Sequence, residues 1–506
     1  MTAGETTVSG DPVERPSGRD LRGDIGRGVV WAAVGNVVMR VAGILVTAVV
    51  ARIFSPEEFG VFAIALAVFV VVTSLAELGM ASAVARSVME PEEIAGTVSS
   101  ISILVSVTLA TLMAVLAAPL ASLLGTPAAG GPLRVMSICL ALTGLLAVPG
   151  AQLVRDFRQD RILIGTLAGF VPANAVLVVL ALLGQGATAF AWSRVVGQVV
   201  TGLVFVWFLD TRYRPEWRSA LVGPLMRFGL PLALANLINW TLLNADYLVL
   251  GRLLSAEQVG VYVIAFNVAN WTTAVLGSVL NGVVLPAFGR VGDDRDRLVE
   301  SLVSASRLVA LVAFPIAFTT LAMAPSLVHT VFGARWDAAA PVLSVLAVYG
   351  ACFAFTLLYV NLLVAIGATT QLLLVQVAWI TALVPAMIWG IAAGGLVGAA
   401  WAHVVVVLLV SVPGYVWAMR SRLGPLPAGM GLVLLRPAGA AALAGAAGWV
   451  TDRLVDGPAV GLLTGGLVAV TVYLMAARSM VEQDLPEVGR LLRRLPGRRP
   501  RHGARR

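Results

Sequence analysis

The sequence predicts an all-α polytopic membrane protein with about 14 transmembrane helices, arranged as two six-helix lobes and a C-terminal helix pair. Hydrophobic residues make up 59% of its 506 residues and charged residues only 12%, a composition typical of chains that cross a bilayer many times. The second observation is a repeat, because residues 51–65 return as residues 251–265 with seven of fifteen positions identical. Duplicated helix bundles with a cavity between the halves are typical of transporters, so the sequence favours transport.

The repeat continues beyond these fifteen residues. The identical pairs are Arg52/Arg252, Ser55/Ser255, Glu57/Glu257, Gly60/Gly260, Val61/Val261, Ile64/Ile264 and Ala65/Ala265. Further along the chain the offset becomes 209, and Ala191-Trp192-Ser193-Arg194 aligns with Ala400-Trp401-Ala402-His403. Six predicted spans, an even number, separate the two copies, so both halves cross the membrane in the same direction. The sequence therefore predicts two parallel lobes related by an axis along the membrane normal.

Apolar windows of about 20 residues define the spans in chain order. The predicted spans are 29–50, 59–80, 95–117, 133–154, 162–183, 187–209, 226–250, 258–286, 299–322, 340–365, 371–393, 395–419, 431–450 and 458–476. They divide the chain into a cytoplasmic tail (1–27), an N-lobe of six spans (28–210), a cytoplasmic linker (211–224), a C-lobe of six spans (225–420), a C-terminal helix pair (421–476) and a basic cytoplasmic tail (477–506).

The arginines predict the orientation, since the chain has no lysine and its 35 basic residues are all arginine. Predicted cytoplasmic segments hold 26 arginines and outer loops hold four, so both termini are expected inside. The basic tail is expected to contact anionic lipid rather than nucleic acid. The lack of lysine excludes a Walker A phosphate loop, and Cys139 and Cys352 suggest neither a disulfide nor a metal site. We therefore expect no catalytic residue, no cofactor and no metal.

Charged side chains inside the spans are candidates for binding an anion. Arg40 lies near the middle of the first span, one turn after Asn36. An arginine there costs about 2.5–3.5 kcal/mol, so it should face a cavity or a partner. Arg194 and Gln198 share one face of the sixth span, and Arg307 lies in the ninth. We expect these arginines to present positive charge to an anionic substrate. The alternative for Arg40 is pairing with a carboxylate between helices, and the alternative for Arg194 is a side chain that extends toward the outer membrane interface.

Neutral polar side chains form stripes on the seventh and eighth spans. The candidate binding residues are Asn236 and Asn239 in the seventh span, and Asn267, Asn270 and Trp271 in the eighth. Amides and an indole along a tunnel wall suit sugar hydroxyls, because each amide offers both donors and acceptors. Hydrogen bonds between helices are the alternative interpretation, worth about 0.6 kcal/mol each in membranes.

Three titratable residues are candidates for coupling or gating. Glu77 lies near the cytoplasmic end of the second span, and Asp246 lies near the outer end of the seventh. His403 occupies the repeat position of Arg194 and could titrate near neutral pH. A buried histidine with satisfied hydrogen bonds explains His403 equally well.

Several stretches carry a family resemblance. They are Trp31-Ala-Ala-Val-Gly-Asn36, Ala51-Arg-Ile-Phe-Ser-Pro-Glu-Glu-Phe-Gly60, Glu77-Leu-Gly-Met80, Val148-Pro-Gly-Ala-Gln-Leu-Val-Arg-Asp-Phe-Arg158 and Phe332-Gly-Ala-Arg-Trp336. With these motifs, over roughly residues 25–420, the chain resembles the polysaccharide exporters. These are Wzx-type oligosaccharide flippases of the multidrug/oligosaccharidyl-lipid/polysaccharide (MOP) superfamily.

The resemblance implies two lobes that work by alternating access, without enzymatic activity. The implied substrate is a polyprenyl-diphosphate-linked oligosaccharide, moved from the inner to the outer leaflet of a bacterial cytoplasmic membrane. Membrane lipid is a further implied partner, and a polysaccharide polymerase and glycosyltransferases are candidate protein partners. Drug exporters of the same superfamily generally use an acidic residue in the N-terminal lobe, whereas the first span here offers Arg40 and no acid.

Three alternatives stay open. A MOP-superfamily drug or small-molecule antiporter would need a buried carboxylate, for which Asp246 is the candidate. A lipid II flippase would differ only in its cargo. A membrane glycosyltransferase or polymerase would need a sizeable outer loop with catalytic residues, but the loops near 118–132 and 323–339 are short.

Overall fold

The computed structural model describes residues 35, 38–39, 42–77, 91–279, 294–427, 429, 431–478 and 480. Every regular element within these ranges is helical. Eleven helices of the described residues are long and apolar enough to cross a membrane. The predicted all-α polytopic fold is confirmed, whereas the count of fourteen spans and the domain boundaries stay predictions.

Sixteen α-helices lie within the described residues. In chain order they are α1 (Ala42–Ile53), α2 (Pro56–Ala76), α3 (Pro91–Val115), α4 (Ala117–Leu123), α5 (Gly130–Arg155), α6 (Gln159–Leu182), α7 (Ala187–Trp207), α8 (Ser219–Leu243), α9 (Ala245–Leu253), α10 (Ala256–Val279), α11 (Arg295–Phe332), α12 (Ala339–Ala365), α13 (Thr369–Val406), α14 (Val412–Leu423), α15 (Leu432–Leu454) and α16 (Pro458–Ala476). A π-helical turn, Val407–Ser411, joins α13 to α14.

The seventh predicted span is not one continuous helix. Residues 226–250 were expected to form a single span, but α8 ends at Leu243 and α9 begins at Ala245. The side-chain amide of Asn244 donates a hydrogen bond to the Trp240 carbonyl oxygen at 2.8 Å. Asparagine side chains compete with the helical backbone in this way, so the helix is interrupted at Asn244.

Helix α13 contains the predicted span 371–393 and the first part of the predicted span 395–419, and these two parts fold back on each other. Gly394 and Gly395 have non-helical backbone angles, and Gly395 has φ of 56°, a value that favours glycine. A Cβ atom on Gly398 would lie 1.9 Å from the Gly390 carbonyl oxygen. The two halves of α13 therefore pack as a close helical hairpin.

Helix packing defines the lobes. In the N-lobe α3 packs on α5, and both α5 and α6 pack on α7. In the C-lobe α10 and α11 pack on α12, which in turn packs on α13. Helix α2 of the N-lobe lies along α10 of the C-lobe, and one buried core runs through both lobes there. The two lobes are therefore joined along α2 and α10.

The two copies of the repeated motif begin these joined helices in the same way. The backbone N–H of Ser55 donates to the Glu58 carboxylate at 2.7 Å. The backbone N–H of Ser255 donates to the Gln258 amide oxygen at 3.1 Å. In both copies the serine hydroxyl accepts a return bond from the N–H three residues on, which completes a capping box. The repeated Ser-x-x-Glu/Gln pattern thus fixes where α2 and α10 start.

Helices α2 and α10 approach at two repeat-related glycines. A Cβ atom on Gly60 would lie 1.7 Å from the Ala256 carbonyl oxygen, and one on Gly260 would lie 1.8 Å from the Pro56 carbonyl oxygen. Since Cβ atoms do not approach carbonyl oxygens this closely, only glycine permits the observed crossing at these positions. Matching positions of the two copies therefore make matching contacts.

The linker between the lobes is attached to α3. The backbone N–H of Glu216 donates to the Gly96 carbonyl oxygen at 3.0 Å, and that of Arg218 donates to the Thr97 hydroxyl at 3.3 Å. The Arg218 guanidinium donates two hydrogen bonds to the Glu216 carboxylate, which hold the pKa of that carboxyl below its ordinary value. Both side chains are exposed, so this ion pair contributes little to stability.

The C-terminal helix pair belongs to the C-lobe side of the molecule. Helices α15 and α16 pack on each other and on α11. The Tyr473 hydroxyl donates to the Leu311 carbonyl oxygen at 2.6 Å, and the Ser326 hydroxyl donates to the Asp452 carboxylate at 2.7 Å. Polar contacts inside a bilayer are directional, so these two bonds fix the orientation of the pair on α11.

Gly60→Ala is expected to destabilise the protein, because the new methyl group would collide with the Ala256 carbonyl and force α2 away from α10. Overpacking of this kind costs about 1–3 kcal/mol. The measurement is the apparent melting temperature of the purified protein in detergent. Gly150→Ala is the matched control, since nothing lies within 4 Å of its added Cβ. Equal melting temperatures for the two variants would contradict the role of the glycine crossing.

Candidate functional site

A cavity of about 630 Å³ lies between α1 of the N-lobe and α10 of the C-lobe. Three predicted substrate-binding residues line it together, namely Asn267, Asn270 and Trp271. Gly43 and Thr47 line the opposite wall on α1. We call this space the central cavity. Its position between the lobes is where substrates bind in transporters built from repeats.

No charged side chain lines the central cavity within the residues that the structure describes, and its wall mixes polar side chains with apolar ones such as Met39, Ile44, Val268 and Phe332. Asn267 is exposed to the cavity, and its amide can both donate and accept hydrogen bonds. Trp271 contributes an aromatic ring and an N–H donor. Asn36 and Arg40, predicted to approach this region from the first span, lie outside the described residues. The cavity therefore offers amides and an indole to a ligand, the set that hydroxyl groups require.

Arg194 lies in the N-lobe on α7. Its guanidinium carbon is 6.0 Å from the centre of the Phe62 ring on α2, and the side chain is exposed. It forms no ion pair with any residue in the described parts of the chain. Arginines within membrane spans usually pair or face water, so an arginine without a carboxylate there is suited to bind an anion. Substrate binding by Arg194 stays a prediction.

Gln198 lies one turn after Arg194 and joins two helices. Its amide nitrogen donates to the Cys139 carbonyl oxygen and to the Thr143 hydroxyl, both at 3.1 Å on α5. These bonds hold α7 against α5 and fix the face of α7 on which Arg194 lies. A contact from Gln198 to substrate would use the remaining acceptor of its amide.

The C-lobe contains the repeat counterparts of Arg194 and of the Phe62 ring that it contacts. His403 aligns with Arg194, and Tyr262 aligns with Phe62. The Tyr262 hydroxyl and the His403 Nε2 atom are 2.9 Å apart, and both side chains are buried. Arg194 therefore contacts Phe62 as His403 contacts Tyr262. The two pairs differ in burial, since the Arg194 side chain is exposed and the His403 side chain is buried.

The other predicted residues are dispersed over the structure. Asp246 is buried at the start of α9, and its Oδ1 atom has no hydrogen-bond partner among the described residues. Asn236 is half-buried on α8, whereas Asn239 lines a second, smaller cavity in the C-lobe. Arg307 is half-buried on α11. Glu77 is exposed at the end of α2. The roles predicted for all of these residues stay predictions.

Metal binding has no candidate in the described parts of the chain. No group of three or more histidine, cysteine, aspartate or glutamate side chains lies close enough there to hold a metal ion.

The lobes close over one end of the molecule, which we call the closed end. The indole N–H of Trp336 donates to the Ala51 carbonyl oxygen at 2.7 Å, and Trp336 is fully buried. Arg335 donates to the Phe54 carbonyl oxygen at 3.3 Å. Arg52 donates to carbonyl oxygens at the end of α11, including that of Val331 at 3.3 Å. Side chains of each lobe thus bind backbone of the other lobe.

Reasoning from the sequence missed the role of these closing residues. Arg52 was noted only as a repeated residue and as part of a motif, and Arg335 and Trp336 only as parts of a motif. A usable signal was present, because the adjacent residues Arg335 and Trp336 place two side-chain donors in the short segment between two spans. Such side chains can bind the carbonyl groups that are left free at helix ends.

The fold is similar to those of two solved membrane proteins. The chain superimposes on the lipid II flippase MurJ in an inward closed conformation with a TM-score of 0.70, covering 90% of this chain and all of that one, at 14% identity. It superimposes on an inward-facing MATE multidrug transporter of the MOP superfamily with a TM-score of 0.60, covering 78% of this chain and 98% of that one, at 18% identity. At these identities the likeness shows the fold alone.

The chain belongs to the polysaccharide biosynthesis protein family, whose family model matches residues 49–341. It is 28% identical over 402 residues to the succinoglycan biosynthesis transport protein ExoT of Rhizobium meliloti, covering 78% of this chain and 79% of ExoT. It is 27% identical over 331 residues to the lipopolysaccharide biosynthesis protein WzxC of Escherichia coli, covering 64% of this chain and 66% of WzxC. The predicted family resemblance is confirmed.

Trp336→Phe is expected to loosen the closed end, because it removes the N–H donor and leaves the Ala51 carbonyl buried without a partner. Such a loss costs about 1–3 kcal/mol, so the labelling rate of a buried reporter should rise about tenfold.

The reporter is a cysteine introduced by Val50→Cys, at a residue that is 2% exposed, and Cys139→Ala and Cys352→Ala remove the native thiols. Maleimide labelling is followed by mass spectrometry. Trp192→Phe, at an exposed indole, is the control, and equal rates in both variants would refute the closing role.

Proposed function

We propose that the chain is a flippase that moves a polyprenyl-diphosphate-linked oligosaccharide from the inner to the outer leaflet of the bacterial cytoplasmic membrane. The observation that carries this proposal is a cavity between the two lobes that has no charged lining residue and is lined by amides and an indole. The N-lobe beside it holds an exposed arginine, Arg194, that has no carboxylate partner among the described residues. Such a combination suits a ligand with a glycan and an anionic headgroup. Family membership supports the same substrate class.

Each part of this substrate has chemically matched residues. The diphosphate would bind arginine, and Arg194 is the candidate with Arg40 and Arg307 as further ones. The sugar hydroxyls would bind Asn267, Asn270 and Trp271 in the central cavity. The polyprenyl tail would stay in lipid, because the bilayer core is already apolar and moving the tail into the cavity would give no hydrophobic gain.

Transport would proceed by alternating access. We assign the closed end to the outer surface, with both termini in the cytoplasm, on the strength of the arginine bias. The described state is then closed toward the outside, and the glycolipid enters from the inner leaflet. Opening requires the bonds of Arg52, Arg335 and Trp336 to break, so substrate binding must favour the open state for net movement. No covalent chemistry is needed, and membrane lipid, a polymerase and glycosyltransferases are the proposed partners.

A small-molecule antiporter is the second candidate, and the observation that favours it is Asp246. A buried carboxyl group with an oxygen atom that lacks a hydrogen-bond partner is a possible proton carrier.

Deletion of the gene tests the function and separates the two candidates. In the deletion strain we expect lipid-linked oligosaccharide to accumulate on the cytoplasmic leaflet, while resistance to cationic dyes stays unchanged. The glycolipid is quantified by mass spectrometry after leaflet-specific labelling, and dye resistance is measured as a minimal inhibitory concentration. A normal glycolipid distribution with increased dye sensitivity would reject the flippase and support the antiporter.

Arg194→Gln is expected to reduce glycolipid export at least about tenfold, since one charge-assisted hydrogen bond is worth about 1.5–3 kcal/mol. Export is measured in the deletion strain carrying the variant, with the amount of protein in the membrane determined by immunoblot. Arg453→Gln is the control, because Arg453 lies over the Trp449 ring on its own helix, 4.4 Å from the ring centre. Equal export by the two variants would show that Arg194 does not bind the substrate.

A further inference from the structure

A second cavity, of about 190 Å³, lies within the C-lobe. Helices α8, α12, α13 and α14 surround it, together with the π-helical turn that joins α13 to α14. Its polar and aromatic lining consists of Asn239, Thr356, Gln376, Trp379, Ser411 and Tyr415. We call this space the C-lobe pocket. It shares no lining residue with the central cavity.

Polar groups converge on the C-lobe pocket without hydrogen-bond partners among the described residues. Ser411 and Tyr415 are 3% and 6% exposed and lie one turn apart, so both hydroxyls are on the same face. Neither hydroxyl, nor the side-chain amide of Gln376 or Asn239, forms a hydrogen bond with any described residue. Ser411 and Tyr415 are buried residues, whereas Gln376 is half-buried and Asn239 is exposed. Four polar side chains with unused hydrogen-bonding capacity therefore meet at one cavity, which suits a polar ligand.

The π-helical turn supports the same interpretation. Val407–Ser411 departs from the regular helical hydrogen-bond pattern, and Val407 and Ser411 both line the pocket. Single π-helical turns inside α-helices occur frequently at functional sites. Here the turn sets the direction from which Ser411 and Tyr415 reach the cavity.

The chemistry of the lining selects the class of ligand. No charged side chain lines the pocket within the described residues. A hard cation prefers carboxylate ligands, and a phosphate prefers arginine, so neither is matched. Amides and hydroxyls both donate and accept hydrogen bonds, and Trp379 adds an apolar ring face. A neutral, hydroxyl-bearing ring meets all of these conditions.

We propose that the C-lobe pocket binds a neutral sugar unit of the lipid-linked oligosaccharide and selects which glycan is transported. This inference rests on the proposed function. With the diphosphate at Arg194 of the N-lobe, the diphosphate and the selected sugar are bound by different lobes. The pocket then recognises a sugar other than the one attached to the diphosphate. Gln376, Ser411 and Tyr415 are the residues that determine specificity.

The test compares two substrates in the deletion strain. One is the complete lipid-linked oligosaccharide, and the other is a truncated lipid with only the first sugar, made by removing the later glycosyltransferases. Gln376→Ala and Tyr415→Phe are tested, with Thr381→Ala as control. Thr381 lies on the same helix as Gln376, and its hydroxyl donates to the Val377 carbonyl oxygen at 2.7 Å. Transport is the fraction of each glycolipid in spheroplasts that externally added periodate oxidises.

Both pocket variants are expected to reduce transport of the complete oligosaccharide about tenfold, the effect of one lost buried hydrogen bond. Transport of the truncated lipid should stay within about twofold of wild type, which also shows that the variants fold. The Thr381→Ala control should transport both substrates normally.

Three results would overturn the inference. Equal losses of transport on both substrates would mean that the C-lobe pocket does not recognise the distal sugar. Equal losses that added sodium reverses would mean that the pocket binds a cation. Normal transport of the complete oligosaccharide by the variants would mean that the pocket has no part in substrate recognition. If wild-type protein transports neither substrate, the proposed function fails and this inference fails with it, a result distinct from the other three.

Discussion

The contact between the backbones of α2 and α10 is the constraint on which the rest of the structure depends. Gly60 and Gly260 allow each helix to lie against a carbonyl group of the other, a distance that no side chain permits. This contact brings together the two helix starts capped by Ser55 and Ser255. It also places the end of α1 beside Trp336. The central cavity then lies between α1 and α10 because the lobes touch at the crossing.

Matching positions in the two lobes have acquired different physical roles. Arg194 lies over Phe62 and is exposed, whereas His403 is enclosed and bonded to Tyr262. Burial of an arginine without a partner is costly, so the N-lobe position has to remain accessible. A neutral histidine is less costly to bury than a charged arginine. The Tyr262 hydroxyl bonds the His403 Nε2 atom, while Nδ1 is buried without a partner among the described residues. Of the two repeat-related positions, the one in the N-lobe thus holds an exposed cation, Arg194. The one in the C-lobe holds a buried side chain, His403, that packs within that lobe.

The sequence predicted the helices and the polar face of the eighth span, because both follow from local patterns. Apolar length gives the spans, and helical spacing places Asn267, Asn270 and Trp271 on one face, which lines the central cavity. Helical spacing does not reveal which helix a face meets. Asn239 was therefore grouped with these residues, although it lines a separate pocket with Gln376. The break at Asn244 was missed because it depends on one local hydrogen bond.

A glycolipid flippase must release its substrate as readily as it binds it, and the distribution of charge fits this need. A diphosphate held by several arginines in a dry cavity would leave slowly, because each charge-assisted bond is strong. In the described residues the central cavity is neutral, and Arg194 lies apart from it on α7. Neutral amides gain little net energy from each hydroxyl they bind, since water offers the same bonds. In the proposed transport, selectivity for the glycan would come from weak hydrogen bonds, while Arg194, apart from the central cavity, would hold the headgroup.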